Sequence, residues 1–175
     1  MVNYYYLVSS LPSLSSDAPM PFSYEEFVGM CKSAVNKRVL SDLENLTLKS
    51  ENGAFLKKWG AFYRKLQDAV NRQRRLNLGK AAQKDEERDF NIDRIAGEAL
   101  SAKNPYEAEK VLLKAQFDYL DSLTSMHNFD DYVLFGYAVK LKLLERQNVF
   151  SRKAGKDEFS RLFDGIQKDI QSLSL

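Results

Sequence analysis

The chain has 175 residues, of which 44% are hydrophobic and 29% are charged, and its net charge is +2. This composition is typical of a soluble globular protein, because it is too apolar for a disordered chain and too charged for a membrane-spanning one. A single cysteine, Cys31, and a single histidine, His127, exclude an internal disulfide and argue against a Cys/His zinc site. We expect one helical domain over 1–175, with an N-terminal segment over 1–22 and a bundle over 23–175.

The first residues show no targeting signal. Residues 1–16 carry no charged side chain, whereas a secretory signal peptide begins with a basic region. The longest apolar run there, Tyr4–Val8, is much shorter than the roughly 20 residues needed to cross a bilayer. The sequence therefore predicts a cytoplasmic protein.

Local signals divide the N-terminal part into short elements. Asn3–Val8 is apolar and predicts a short helix, and residues 9–23, with three of the four prolines, predict a surface loop. Ser23–Glu26 forms a capping box, in which a serine hydroxyl and a glutamate three residues later satisfy the first amides of a helix. Ser41–Glu44 repeats this pattern and predicts the start of another helix.

The strongest helical pattern covers Ala54 to about Leu78, where Gly79 predicts the end. Its apolar residues recur at near-heptad spacing. They are Phe55, Trp59, Phe62, Leu66, Ala69 and Leu76. Residues 54–80 hold eight basic side chains and one acidic side chain, and such a charge block either steers a partner or packs against an acidic helix of the same chain. Our candidate partner-binding residues are on this helix: Lys57, Lys58, Arg64, Lys65, Arg72, Arg74 and Arg75.

Two further helices are predicted after this block. The first opens with Asp85–Glu87, because acidic side chains favour the positive N-terminal end of a helix. Its apolar positions are Ile92, Ile95, Ala96 and Ala99. The second begins at Asn104 and Pro105, a cap followed by a proline in the first helical position. Its expected apolar stripe is Leu112, Ala115, Tyr119, Leu123 and Met126.

A turn at His127 and Asn128 leads to the next helix, which starts with Asp130 and Asp131. Tyr132–Leu144 is apolar almost all round, which predicts a central place in the bundle. We expect this helix to end at Gly155. A last helix is predicted from about Asp157, and its apolar side consists of Phe159, Leu162, Phe163, Ile166, Ile170 and Leu173.

Neither strand patterns nor an internal repeat are recognisable in the sequence. The predicted fold is all-α, a multi-helix bundle with long antiparallel helical hairpins.

Catalytic and metal-binding patterns are also not evident. The cluster Asp85–Asp89 and the pair Asp130–Asp131 fit helix first turns, and His127 fits a turn residue better than a general base. Cys31 falls on an apolar face, where packing is the usual role. No phosphate-binding loop, dinucleotide fingerprint or HExxH motif is present. We therefore expect a non-enzymatic protein with no cofactor, no metal and no small-molecule substrate.

Two groups of side chains leave an alternative open. Arginines in the run Arg72–Arg75 are suited to gripping phosphate, but no aromatic residues stand between them as base-stacking platforms. We therefore favour a protein partner over nucleic acid. Trp59, Phe62 and Tyr63 suit either a core or an interface, and a core is favoured. The consecutive aromatics Tyr4–Tyr6 cannot all face inwards on a helix, so we expect one to be exposed.

Three parts of the sequence resemble one bacterial family. They are Asn3–Pro12 (NYYYLVSSLP), the runs Phe117–Asp121 (FDYLD) and Asn128–Asp131 (NFDD), and Tyr137–Arg146 (YAVKLKLLER). The family is encoded among V-type (A/V-type) ATPase subunits and is similar to the C/d-type subunit, which occurs in the archaeal-type enzyme and has a eukaryotic counterpart. That protein is all-helical and non-catalytic, sits on the membrane rotor ring and receives the foot of the central shaft.

The resemblance implies a coupler between the central stalk and the membrane rotor ring that binds no nucleotide. It would be peripheral on the cytoplasmic side of the membrane, held there by protein contacts only. This chain is shorter than the C/d-type subunit and shows no repeat, so the resemblance implies part of that architecture. A general helical interaction module unrelated to the ATPase is the alternative, and a nucleic-acid-binding helical protein is a third.

Overall fold

The computed structural model describes residues 4–80 and 88–149. This part of the chain forms seven α-helices and no strand, so the prediction of an all-α fold is confirmed. The helices are α1 (Tyr5–Ser10), α2 (Tyr24–Cys31), α3 (Lys37–Glu44), α4 (Gly53–Asn77), α5 (Phe90–Leu100), α6 (Pro105–Thr124) and α7 (Asp131–Val149).

The helix starts that the sequence marks most clearly are present. The Ser23 hydroxyl accepts from the Glu26 amide at 3.2 Å, and the Glu26 carboxylate accepts from the Ser23 amide at 2.8 Å, which completes the capping box of α2. Asn104 caps α6 by accepting from the Glu107 amide at 2.9 Å. Asp130 caps the start of α7 by accepting from the Tyr132 amide at 3.1 Å. These caps satisfy amides that have no partner within their own helix.

The sequence predicts a helix start at Ser41–Glu44, and this prediction is wrong. Asn36 is the cap, because its side chain accepts from the Val39 amide at 2.9 Å, so Ser41–Glu44 is the end of this helix. Asparagine caps a helix as well as serine does, and starting there places both Val39 and Leu43 in the core.

The end of α4 matches the prediction, since Gly79 follows it with a positive φ of 68° that glycine adopts without strain. Helix α5 has Asp89 as its cap. The predicted start at Asp85–Glu87 lies outside the described residues, as do the end at Gly155 and the last helix from about Asp157.

Helices α6 and α7 form an antiparallel hairpin. Glu109 near the start of α6 pairs with Arg146 near the end of α7 at 2.8 Å, whereas Thr124 at the end of α6 lies against Gly136 near the start of α7. Helix α4 packs on both, and α5 packs between α4 and α6. Helices α2 and α3 pack on α7, and the Tyr24 hydroxyl joins them by donating to the Leu43 carbonyl at 2.8 Å.

The predicted stripe of α4 is buried with one exception, and the buried face is wider than the stripe, because Leu56, Tyr63 and Val70 are buried as well. Phe55, Trp59, Phe62, Leu66 and Ala69 are buried, but Leu76 is 45% exposed. Leu76 lies near the C-terminal end of the helix, and the apolar spacing alone does not show where burial stops. The centre of α7 is buried as predicted, and Leu134, Ala138 and Leu141 are 0% exposed.

The predicted stripe of α6 lies to one side of the real core face. Leu113, Phe117 and Leu120 are its buried apolar residues, together with Gln116. Of the predicted positions, Leu112, Tyr119 and Leu123 only pack against the edge of the core. Met126 is 90% exposed, because α6 ends at Thr124 and Met126 lies in the following turn.

The close contact between α6 and α7 provides a test of this packing. A Cβ atom on Gly136 would lie 2.7 Å from Thr124 Cγ2 and 3.6 Å from the ring of Phe55. We expect Gly136→Ala to lower the free energy of unfolding by about 1 kcal/mol, because overpacking outweighs the roughly 1 kcal/mol that alanine gains in helix propensity. Urea unfolding measures the difference.

Thr124→Ser supplies the matched control, because serine lacks the clashing methyl group but keeps a hydroxyl that can donate to the Leu120 carbonyl as Thr124 does at 3.0 Å. The double variant Gly136→Ala with Thr124→Ser should regain the lost stability. If Thr124→Ser does not rescue Gly136→Ala, the two helices do not approach each other as the structure shows.

Candidate protein-binding surfaces

The basic residues predicted to bind a partner do not form one surface on α4. Lys57, Arg64 and Arg75 are exposed and lie on the side of the helix away from the core. Arg64 pairs with Glu51, but both side chains are largely exposed, at 61% and 43%, so this pair contributes little to stability. This outer part of the basic face is accessible to a partner.

Another part of the basic face is engaged within the molecule. Arg72 pairs with Asp93 of α5, and the Arg72 side chain is only 11% exposed. Lys58 places its ammonium group 5.6 Å from the centre of the Tyr132 ring, a cation–π contact with α7. Lys65 lies near the Tyr119 hydroxyl, where burial raises the pKa of Tyr119 and the lysine charge opposes this rise. Arg72 thus packs against an acidic side chain of the same chain. This is one of the two uses that the sequence allows for the basic block over residues 54–80.

The run Arg72–Arg75 divides between different surroundings. Arg72 contacts α5, Arg74 lines a groove at the end of the bundle, and Arg75 is exposed. Arg74 and Arg75 are both exposed, whereas Arg72 is engaged within the chain.

A second surface is apolar and lies at the turn between α6 and α7. We call Tyr5, Tyr6, Met126 and Phe129 the aromatic patch. Tyr6 is 87% and Met126 90% exposed, and the Tyr5 ring lies 4.8 Å from that of Phe129 and 5.5 Å from that of Tyr6. Aromatic and methionine side chains are enriched at protein interfaces. The patch is therefore a candidate contact with another protein.

The backbone holds the aromatic patch in a defined conformation. Phe129 has a positive φ of 54°, which an L-residue seldom adopts and which costs on the order of 1 kcal/mol. Its carbonyl accepts from the amide of Tyr4 at 2.7 Å, and Tyr4 is buried beneath it. Burial and the nearby Asp131 carboxylate both raise the pKa of Tyr4, so its phenol stays neutral. The sequence predicts one exposed residue in Tyr4–Tyr6, whereas both Tyr5 and Tyr6 are exposed, and the exposure of Met126 has no signal in the sequence.

His127 and Asp130 stabilise the same turn. His127 Nδ1 lies 2.6 Å from Asp130 Oδ2, and the imidazole stacks on Tyr132 with ring centres 3.9 Å apart. The other oxygen of Asp130 caps α7, so the histidine and the carboxylate together fix the start of this helix. This geometry matches the predicted turn histidine.

Chemically reactive groups elsewhere are buried or scattered. Burial raises the pKa of the Cys31 thiol to about 11, so the reactive thiolate is scarce at neutral pH. In residues 4–80 and 88–149, no three His, Cys, Asp or Glu side chains come together as a metal site would require. Over the same residues, no helix combines the length and the apolar character needed to cross a membrane.

The third surface is the groove at the opposite end of the α6–α7 hairpin from the aromatic patch. It has a volume of about 1170 Å³ and lies between the C-terminal part of α4, the turn from α5 to α6 and the C-terminal part of α7. Val70, Leu112, Leu113 and Leu143 give it an apolar lining, with Arg74 and Lys103 among the basic residues around it. Of the predicted partner-binding residues, Arg74 is the one that the structure places there.

Comparisons with protein-family models, with curated proteins and with solved structures give no match for this chain. The choice between functions therefore depends on the resemblance of three sequence segments to the ATPase-associated family and on the geometry of these surfaces.

Proposed function

We propose that the protein is a non-catalytic helical subunit of a V-type ATPase, where it couples the central stalk to the membrane rotor ring. In this role it binds other subunits and takes neither nucleotide nor metal. It is held on the cytoplasmic side of the membrane through those protein contacts.

The observation that carries this proposal is the meeting of the three segments that resemble the ATPase-associated family. The amide of Tyr4 in the first segment donates to the carbonyl of Phe129 in the second at 2.7 Å. The hydroxyl of Tyr137 in the third segment donates to the carbonyl of Pro12 in the first at 3.0 Å. The resembling segments thus form one continuous part of the fold, as expected if they specify one shared structure.

The construction of the bundle suits a part that transmits force. Trp59, Leu120 and Leu134 are 0% exposed and belong to one core shared by α4, α6 and α7. Close-packed interiors have low compressibility and transmit strain. A load applied at the aromatic patch therefore reaches the far end of the α6–α7 hairpin through packed side chains.

The aromatic patch and the exposed bases of α4 suit different parts of an interface with other subunits. The aromatic patch supplies rigid anchors of the kind that dominate binding energy. The exposed bases Lys57, Arg64 and Arg75 supply long-range attraction to an acidic stalk subunit. A general helical adaptor unrelated to the ATPase is the second candidate, and the aromatic patch favours it equally, because exposed aromatics anchor many kinds of partner.

The proposal is tested by using the full chain as bait in an extract of its native cells at moderate salt, with mass spectrometry of the bound proteins. We expect central-stalk or rotor-ring subunits of the V-type ATPase among them. Their absence, while the ATPase is detected in the same extract, would contradict the proposal and favour the general adaptor.

A charge-reversal pair tests the outer part of the basic face. Lys57→Glu with Arg64→Glu should reduce recovery of the partner about tenfold, because like charges then meet across the interface. Lys37→Glu with Arg38→Glu on α3 makes the same change in net charge at exposed positions and should leave recovery unchanged. Equal recovery with both double variants would show that this face is not the contact. Arg72 is left intact because it contacts Asp93.

A further inference from the structure

The groove at the end of the bundle has the general features of a ligand site. Its volume of about 1170 Å³ slightly exceeds the range of roughly 300–1,000 Å³ typical of small-molecule pockets. It lies between α4, α6 and α7 and the turn that joins α5 to α6. A cavity with an apolar lining and a few polar groups is the usual form of a binding site, and this volume suits an elongated ligand better than a compact one.

The floor of the groove consists of aliphatic side chains. Val70 of α4, Leu113 of α6 and Leu143 of α7 line the groove and belong to the buried core of the bundle. Ala99 and Ala108 also line it, and their short side chains leave room above the floor. Apolar surface gains free energy when it leaves water for such a lining. The floor therefore favours a ligand with a hydrocarbon part.

Two basic side chains lie at one end of this floor. Arg74 follows Val70 by four residues, so both lie on one face of α4, and Arg74 is the nearer to the end of the helix. Lys103 lies in the turn before α6. Both bases line the groove and are exposed, and among the residues that the structure describes neither of them forms an ion pair. This end of the groove therefore suits an anionic group.

The two acidic residues of the lining have roles within the chain. Glu109 pairs with Arg146 at 2.8 Å, so these two charges compensate each other. Glu107 lies in the first turn of α6, where the positive end of the helix favours an acidic side chain. The charge that remains at the groove is therefore basic, and it is carried by Arg74 and Lys103.

We propose that this groove binds a long-chain carboxylate. Its hydrocarbon tail lies along the floor of Val70, Leu113 and Leu143, and its carboxylate accepts charge-assisted hydrogen bonds from Arg74 and Lys103. A ligand without charge would leave both bases without a partner, and a small polar anion would leave the aliphatic floor in contact with water. A molecule with both parts matches both parts of the groove. The inference stands independently of the ATPase proposal, since that proposal uses other surfaces of the bundle.

Binding of dodecanoate and of dodecan-1-ol to the full chain tests the proposal, because the two molecules share one tail and differ in the charge of the head group. Isothermal titration calorimetry, at concentrations below those at which dodecanoate forms micelles, should show that dodecanoate binds about tenfold more tightly, since hydrogen bonds to a charged group contribute at least that much. An equal affinity for the two molecules, or no binding of dodecanoate, would overturn the proposal.

Charge reversal at the two bases tests where the carboxylate is recognised. Arg74→Glu with Lys103→Glu should remove the preference for dodecanoate over dodecan-1-ol. Lys37→Glu with Arg38→Glu on α3 makes the same change in net charge at exposed positions outside the groove and should keep the preference. Circular dichroism verifies that both double variants are folded. The same loss of preference in both would show an effect of net charge alone and would overturn the assignment of the head group to Arg74 and Lys103.

Thiol labelling locates the bound tail. Ala108 lines the groove, whereas the native Cys31 is 0% exposed, so Ala108→Cys provides the accessible thiol. Dodecanoate at ten times its Kd should slow labelling of position 108 about tenfold, because only the free protein then reacts. Unchanged labelling at position 108 would place the ligand elsewhere and overturn the proposal. Sedimentation of the chain with phosphatidylglycerol vesicles, without protection of position 108 by free dodecanoate, would indicate a lipid surface as the partner and would also overturn it.

Discussion

Trp59→Ala should lower the free energy of unfolding by about 3–5 kcal/mol, the range measured when large aromatic residues are removed from protein cores. Trp59 is 0% exposed and lies in the N-terminal half of α4. Its ring stacks on Tyr63 at 5.5 Å and contacts Phe62 at 6.0 Å between centres. The substitution leaves a cavity where α4 packs on its neighbours, and the surrounding helices can close it only in part.

The indole of Trp59 also has a polar role. Its Nε1–H donates to the carbonyl of Leu48 at 3.0 Å and so ties the segment between α3 and α4 to the core. Trp59→Phe keeps most of the apolar volume but removes this donor. We expect it to cost about 1–3 kcal/mol, the cost of leaving a buried polar group without its partner plus a smaller cavity.

Urea unfolding monitored by circular dichroism measures both variants, since fluorescence of the only tryptophan is lost with it. Leu78→Ala is the control, because Leu78 is 71% exposed and its substitution should change stability by less than about 0.5 kcal/mol. A loss below about 1 kcal/mol for Trp59→Ala would contradict the placement of Trp59 in the core.

The parts of the fold that could be predicted from the sequence are those set by neighbouring residues. The capping box at Ser23–Glu26 and the pair Asn104–Pro105 act within a few residues of themselves, and both start helices in the structure. The apolar run Tyr132–Leu144 needs no choice of face, because a helix that is apolar almost all round is buried whichever way it turns. Its central position is accordingly confirmed.

Predictions from the sequence were wrong where two neighbouring residues are equally suited to the same structural role. Asn36 and Ser41 are both good caps, and only the burial of Val39 against the rest of the bundle selects the first. In α6, apolar residues flank the core face on both sides, so Leu112 and Leu113 are equivalent in the sequence. The position of α5 and α7 decides that Leu113 is buried.

The candidate surfaces were predictable to a smaller extent. The charge of α4 is evident from the sequence, but the partner of each base depends on which helix packs beside it. The aromatic patch depends on a turn in which Met126 has left the helix and Phe129 has a positive φ. The groove depends on three helices converging and has no counterpart in the local sequence. Neither the aromatic patch nor the groove follows from the spacing of residues along the chain.

Removal of the ion pair between Arg72 and Asp93 should also have a large effect on the free energy of unfolding. We expect Arg72→Ala to lower the free energy of unfolding by about 1–2 kcal/mol, because it leaves the carboxylate of Asp93 partly buried without its counter-charge. The Asp93 side chain is 25% exposed, so water compensates for part of the loss. Chemical unfolding at low and at high salt measures the change, and the difference from the parent should persist at high salt, since partly buried pairs are little screened.

Arg64→Ala on the same helix is the matched control. It also breaks a pair between an arginine and a carboxylate, that with Glu51, but both side chains are exposed. We expect a change below about 0.5 kcal/mol that vanishes with added salt. Equal effects at Arg72 and Arg64 would mean that the basic side of α4 is uniformly solvated, so that Arg72 would rejoin the surface available to a partner. A larger effect at Arg72 alone would show that this arginine holds α4 and α5 together. The bases of α4 that remain for contact with another protein are then the outer ones, Lys57, Arg64 and Arg75.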